Sequence, residues 1–309
     1  MTLAVRTSGL SKAFGREKAV ASVSFEVQPG ELFGLVGPDG AGKSTLLRML
    51  AGVLRPTSGD AEILGASVVR DPERVKQDIA YMSQRFGLYS DLTVIENLDF
   101  YADLYEVPRA ERAPRLERLF QFSNLKPFED RLAGKLSGGM KQKLGLSCAL
   151  IHEPRLLLLD EPTFGVDPIS RRDLWLMVHE MVARGIAAVV STAYLDEAER
   201  FDRLLLLHKG RVLDSGTPEE LLRRVEGEIL DLRATPLREA RAVLSRHPAV
   251  LRVALFGDRL HVSVSSVVRD RAAVEEALQA EGIAIHEVAP IAPTLEDLFI
   301  EAVEKAEAA

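Results

Sequence analysis

The residues with the most specific chemistry lie at 37–45, GPDGAGKST. A tight glycine-rich turn there lets Gly40, Ala41, Gly42 and Lys43 aim backbone N–H groups inward at phosphate oxygens, and a helix starting at the same point adds its positive end. Lys43 supplies a point charge for the outer phosphates, and the Ser44 hydroxyl is placed to ligate Mg2+. Such a loop needs a strand before it and a helix after it. The apolar run Leu32, Phe33, Leu35, Val36 and the helix-spaced Leu46, Leu47, Met49, Leu50 supply both.

Two carboxylates follow four leucines at 156–159, a run that suits a strand buried on both faces. Beside a phosphate loop, Asp160 has the chemistry to hold a metal ion or its water, and Glu161 that to orient and deprotonate an attacking water. Gln84 ends the apolar run at 79–84, on the strand edge where open α/β sheets keep their ligands. Ser137 caps a helix whose periodic residues are Leu144, Leu146, Cys148 and Leu150. Gly138 and Gly139 leave its first N–H groups open to an anion, but an ordinary capped helix explains the same residues equally well. Phe14 precedes the loop by a little over twenty residues, where its ring could stack on a base. Taken alone, it reads more readily as a core phenylalanine.

Elements able to position these residues are legible in outline. Strand-like alternation (Leu3, Val5; Val23, Phe25, Val27) surrounds residues 11–20, and Gln28-Pro29-Gly30 is a turn. Helical spacing through 93–105 and 116–122 predicts a mostly helical insertion at about 85–150. Residues 165–168 form a turn and 171–183 an amphipathic helix, with Trp175 as packing; 186–190 and 204–207 are predicted buried strands. From about Glu226 the predicted order is strand 228–232, helix 237–246, strands 250–256 and 260–264, helix 269–281 and strand 283–288. That β-α-β-β-α-β order fits a ferredoxin-like unit, with a last helix at 294–305. The unit carries no catalytic constellation and reads as a packing, dimerising or regulatory module.

Composition excludes several classes. With 47% hydrophobic and 28% charged residues the chain is globular, and its length suits about two domains. A net charge of -7 lacks the basic excess that binding to a phosphate backbone uses, so nucleic acid is not an expected partner. No leader-like start and no membrane-length apolar run stand out, which predicts a cytoplasmic chain that does not span a membrane. The single cysteine, Cys148, reads as a small buried helix residue.

Taken together, the motifs resemble those of the ATP-binding subunit of an ABC transporter over residues 1–220. GPDGAGKST corresponds to Walker A, Gln84 in YMSQ to the Q-loop, LSGGMKQ to the signature, LLLLDE to Walker B and GVDP to the D-loop. The segments QRFGLYSDLTVIENL and PTLEDLFIEAV are similar to ATPases of drug and antibiotic exporters of the daunorubicin-resistance type, whose permeases are separate ABC-2 polypeptides. The resemblance implies an α/β fold at residues 1–225: a P-loop NTPase core with an N-terminal antiparallel β-subdomain and an inserted helical subdomain. A small C-terminal α+β ferredoxin-like domain would occupy 226–309.

ATP and Mg2+ are the implied cofactors, with Lys43, Gln84 and Glu161 catalytic and Ser44, Gln84 and Asp160 at the metal. Nucleotide contacts would come from Phe14, now read as stacking on adenine, and from Gly37, Gly40, Ala41, Gly42, Lys43, Ser44 and Thr45. Two subunits, identical or paralogous, would pack head to tail, with Ser137, Gly138 and Gly139 of one closing on ATP held by the other. Asp167 would lie at the dimer contact. Residues 85–97 would face an ABC-2-type transmembrane permease at the cytoplasmic face of the membrane.

Two positions depart from the family pattern. Asp39 stands where asparagine is usual. Ala193 stands where a histidine usually contacts the γ-phosphate, which leaves binding intact and predicts slow hydrolysis. A hydrolysis-weak partner in a heterodimer is therefore one alternative. A soluble ABC protein acting on ribosomes or DNA is another, disfavoured by the single cassette and the acidic charge.

Overall fold

The structure, a computed structural model, describes residues 2–84 and 87–308. It divides into two compact units between Ser215 and Gly216. This lies before the change of sequence pattern at Glu226, because the short helix Pro218–Leu222 packs against the last helix of the chain and belongs with the second unit.

Among the described residues the first unit runs β1 (Val5–Phe14), β2 (Glu17–Val23), β3 (Glu26–Val27), β4 (Leu32–Val36), α1 (Lys43–Leu50), β5 (Ser58–Ile63), β6 (Ala66–Ser67), α2 (Pro72–Asp78) and β7 (Ile79–Met82). It continues with α3 (Val94–Leu104), α4 (Arg109–Ser123), α5 (Gly138–Leu150), β8 (Leu156–Asp160), α6 (Pro168–Ala183), β9 (Ala187–Thr192), β10 (Arg203–His208) and β11 (Arg211–Gly216). One sheet has the order β2-β1-β5-β6, with β3 beside β1 and the printed pairings antiparallel. Residues 11–20, expected between strands, are themselves the β1–β2 hairpin, turning at Gly15. Ser11, Lys12 and Ala13 are half-buried, so no apolar alternation marked this part as strand.

The other sheet has the order β11-β10-β4-β9-β8-β7, and β10/β4, β4/β9, β9/β8 and β8/β7 pair in parallel. Its central strands β4, β9 and β8 are buried along their whole length, as strands covered on both faces must be. That is why they read as unbroken apolar runs. Helices α3, α4 and α5 fall between β7 and β8, so the predicted helical insertion is present. The motifs at the C-terminal ends of β4, β8 and β9 therefore share one edge.

The second unit comprises α7 (Pro218–Leu222), β12 (Glu228–Thr235), α8 (Leu237–Leu244), β13 (Val250–Phe256), β14 (Arg259–Val264), α9 (Val267–Ala280), β15 (Ala284–Ile291) and α10 (Leu295–Ala308). Its sheet has the order β13-β14-β12-β15 with all neighbours antiparallel, the arrangement of the predicted ferredoxin-like unit. Leu230 and Leu232 of β12 and Leu260, Val262 and Val264 of β14 form one core with Leu244, Val274 and Leu278 of the helices. Among the described residues no helix is long and apolar enough to cross a membrane.

Candidate functional site

Strand register builds the site. Val36 pairs with Thr192 and Asp160 with Ser191, so the loop after β4 and the ends of β8 and β9 meet at one edge. The Gly37 N–H donates to Thr192 O at 3.2 Å, tying the loop's first residue to β9. Gly42 caps α1 at φ 104, and a Cβ there would lie 2.4 Å from the Ala19 carbonyl oxygen, so only glycine suits the turn. Lys43 is folded back inside the loop, donating to Gly37 O at 2.7 Å and Pro38 O at 3.0 Å. Its Nζ also lies 3.0 Å from Glu161 Oε1.

Both carboxylates are nearly withdrawn from solvent, Asp160 at 1% and Glu161 at 7% exposure. Asp160 Oδ1 accepts from Ser44 Oγ at 2.9 Å and from Ser191 Oγ at 2.8 Å, while its buried Oδ2 has no hydrogen-bond partner. An unpaired buried carboxylate oxygen calls for an explanation, and a cation supplies one. Glu161 takes a left-handed conformation, φ 48, of the kind held only where its surroundings impose it. Its N–H bonds to Ser191 Oγ at 3.0 Å and Ser191 O at 3.2 Å. The carboxylate spans Lys43 on one oxygen and Gln84 Nε2, at 2.9 Å, on the other.

Lys43, Ser44, Gln84 and Glu161 line a cavity of about 560 Å³ together with Lys18, Asp39 and Lys209, with Asp160 bonded to Ser44 at its edge. Backbone donors, Lys43 and the oxygen donors of Ser44, Asp160 and Gln84 are a set that fits a magnesium–phosphate group. Mg2+ takes only one or two protein carboxylates and completes its shell with phosphate and water.

Some of the other predicted residues lie apart from this cluster. Phe14, at the end of β1, is 53% exposed with Lys12 Nζ 5.3 Å from its ring centroid, so it is not a core residue; nor does it line the cavity. Gly40, Ala41 and Thr45 line it with Lys43. Ser137 caps α5 by accepting from Met140 N at 3.3 Å, and Ser137 and Gly138 are exposed. Gly139 is buried against α6, where a Cβ would come within 2.1 Å of Ser170 Oγ. Asp167 caps α6 through the Ser170 N–H at 3.0 Å, and that donor holds its carboxyl below the usual range. The signature and Asp167 thus form a second cluster, which lines no part of the cavity in the same chain. Arg85 and Phe86 of the predicted permease-facing segment lie outside the described residues. The remainder is tied down by buried Asn97, which donates to the carbonyls of Tyr89, Leu92 and Thr93.

Cys148 is fully buried in α5, and burial pushes its thiol pKa up. Ala193 follows β9 directly and is exposed, beside the Thr192 that bonds Gly37. Sequence reading missed Ser191, which holds the Asp160 carboxylate and the Glu161 backbone N–H, since a serine near the end of a buried strand carries no local signal. It also missed Lys18, which β2 brings to the cavity, and Lys209, which arrives there because the β10–β11 turn bonds the loop through Gly210 N–H and Ala41 O. Trp175, read as packing, is buried and also donates to Glu197 Oε1 at 2.9 Å.

Comparison with known proteins identifies the family. The family model for ABC transporters matches residues 20–164, and that for the C-terminal domain of DrrA1-3-like ATP-binding proteins matches 216–303. The Nod factor export ATP-binding protein I of Rhizobium etli is 33% identical over 299 residues, covering 96% of this chain and 92% of the relative. The chain belongs to the ABC transporter family of ATP-binding proteins. A probable multidrug ABC transporter ATP-binding protein of Escherichia coli, YbhF, is 44% identical over 301 residues; these are 96% of this chain but 51% of YbhF, so the chain spans about half of that relative. Among solved structures, an ATP-binding subunit of an ABC transporter matches with a TM-score of 0.66 at 34% identity, over 72% of this chain and 93% of that one. The ABC fold accounts for the first unit, and the DrrA-like model coincides with the second, whose boundary at Gly216 is also that of the compact unit.

Proposed function

We propose that this ABC ATP-binding protein binds Mg-ATP in the loop at 37–45, hydrolyses it, and thereby energises a membrane exporter built from separate ABC-2-type permease subunits. The observation that carries the reading is the cluster of Lys43, Ser44, Gln84, Asp160 and Glu161 at the end of three parallel strands. Ser44, Asp160 and Gln84 would hold Mg2+, which would neutralise phosphate charge. Lys43 exchanges its loop carbonyls and Glu161 for phosphate oxygens, which frees Glu161 to accept a proton from water. Phe14 stacks on adenine from its exposed position. Ser137, Gly138 and Gly139 lie outside the cavity of their own chain, and this favours their closing on the nucleotide of a second subunit, with Asp167 at the contact.

Export is favoured by the family of the second unit and by relatives named for multidrug transport and Nod factor export. Those two cargoes differ, which is consistent with cargo being chosen in the permease. The protein would act as a peripheral subunit at the cytoplasmic face of the membrane. Ala193 favours a second reading: it offers no imidazole at the phosphate edge, so the chain would hydrolyse slowly or serve as the weaker partner of a heterodimer.

Titration with a fluorescent ATP analogue in Mg2+ tests binding. Lys43→Ala should weaken affinity by about 10- to 100-fold, the equivalent of one charge-assisted bond. Undiminished affinity would refute the assignment. Glu161→Gln should sediment as a dimer with Mg-ATP and as a monomer without it; a monomer in both conditions would refute closure by this chain alone.

A further inference from the structure

Glu197 is a carboxylate that the proposed chemistry does not use, yet it is 1% exposed in the short 3-10 helix Leu195–Arg200. Its Oε1 accepts from Arg171 Nε at 2.6 Å and from Trp175 Nε1 at 2.9 Å, and its Oε2 accepts from Thr192 Oγ1 at 2.6 Å. Burying a carboxylate is unfavourable unless it is paired and fully hydrogen-bonded, and an apolar contact would pack a helix on a strand at least as well. What such a group adds is a fixed register between the elements it bonds.

Those elements are the two clusters described above. On one side, Thr192 accepts the Gly37 N–H on its carbonyl and the Tyr194 N–H on its hydroxyl at 3.0 Å, so Ala193 is held between two anchored residues. On the other, Arg171 lies in the first turn of α6, its N–H bonded to Asp167 O at 2.8 Å, one residue from the Ser170 that abuts Gly139. A contiguous chain of contacts thus runs from the phosphate loop to the N-terminus of the signature helix, and Glu197 is its middle. Glu197 bonds the segment Leu195–Arg200 to Arg171 and Trp175 of α6 on one side and to Thr192 of β9 on the other.

We propose that Glu197 is a positioning residue that couples the phosphate edge of the site to the helix bearing Asp167, so that nucleotide bound at 37–45 orders both. This rests on the reading of the site as one for Mg-ATP. Contiguity alone is no proof of coupling, so the test must read coupling directly.

Hydrogen exchange with and without Mg2+ and the slowly hydrolysed analogue ATPγS does so. In the wild type, nucleotide should protect 37–45, 192–197 and 167–171 together. Thr192→Val, close in shape, removes only the hydroxyl; it should keep protection at 37–45 and lose most of the gain at 167–171. Its kcat should fall about 10- to 100-fold with KM for ATP within about twofold, the signature of misplaced groups rather than lost binding. Glu197→Gln can still accept from Arg171 and Trp175 and can donate to Thr192, so it should recover most of the coupling, whereas Glu197→Ala should not. Full protection of 167–171 in Thr192→Val would overturn the proposal, as would loss of protection at all three segments, which would mean a purely structural role. A wild type with no protection at 37–45 would instead sink the Mg-ATP reading, and this proposal with it.

Discussion

Ser191→Ala probes how the paired carboxylates are held, and its size can be worked out from the contacts. Wholly buried Ser191 donates to Asp160 Oδ1 at 2.8 Å and accepts the Glu161 N–H at 3.0 Å. Alanine leaves that N–H a second acceptor, the carbonyl of residue 191 at 3.2 Å, so the neutral bond is largely replaced. The bond to the buried carboxylate is lost outright, at about 1.5–3 kcal/mol. For a unit of this size each kcal/mol moves Tm by about 2–4 °C, so the first unit should melt about 3–12 °C lower. The effect on metal should be more specific. Ser44 Oγ would be the remaining side-chain donor to Asp160 Oδ1, and it is itself a proposed Mg2+ ligand. Groups that orient a metal ligand from behind are typically worth about 10- to 100-fold in metal affinity or activity. Half-saturating Mg2+ for hydrolysis should therefore rise by about tenfold or more, with nucleotide affinity at saturating Mg2+ little changed. Thermal melts and a Mg2+ titration of turnover check both. A variant that melts with the wild type and shows the same Mg2+ dependence would refute the argument that Ser191 orients Asp160.

Two further outcomes are expected. Ala193→His, at an exposed position where an imidazole displaces no core, should raise a slow basal turnover by up to about 10²- to 10³-fold with little change in ATP affinity. A brisk wild-type rate that the variant does not improve would show that other groups hold the γ-phosphate. Phe14→Ala should weaken nucleotide binding by about 1–3 kcal/mol while Phe14→Tyr is near neutral. Because the ring is half exposed, a large fall in Tm without a binding defect would contradict the stacking role.

Much of the architecture is legible in the sequence for a physical reason that also marks its limit. Strands β4, β8 and β9 are covered on both faces, so their residues are apolar without interruption, and the polar groups that end them stand out. The glycines of the loop at 37–45 and the pair Asp160-Glu161 belong to this legible class. Half-covered strands follow a weaker rule. In β1 the half-buried Lys12 and Ala13 alternate nothing, and the hairpin through 11–20 was not foreseen. Least legible are residues whose role arises from pairing across elements distant in sequence. Ser191 reaches Asp160 only because β9 lies beside β8 in register, and Glu197 reaches Arg171 only because α6 packs behind β9. Neither serine nor glutamate is unusual at its place in the chain. Burial picks them out: a carboxylate at 1% exposure with every bond satisfied reveals a constraint that residue type and spacing do not encode. The groups that touch the phosphates are thus readable from the chain, and those that orient them emerge only once the strands are in register.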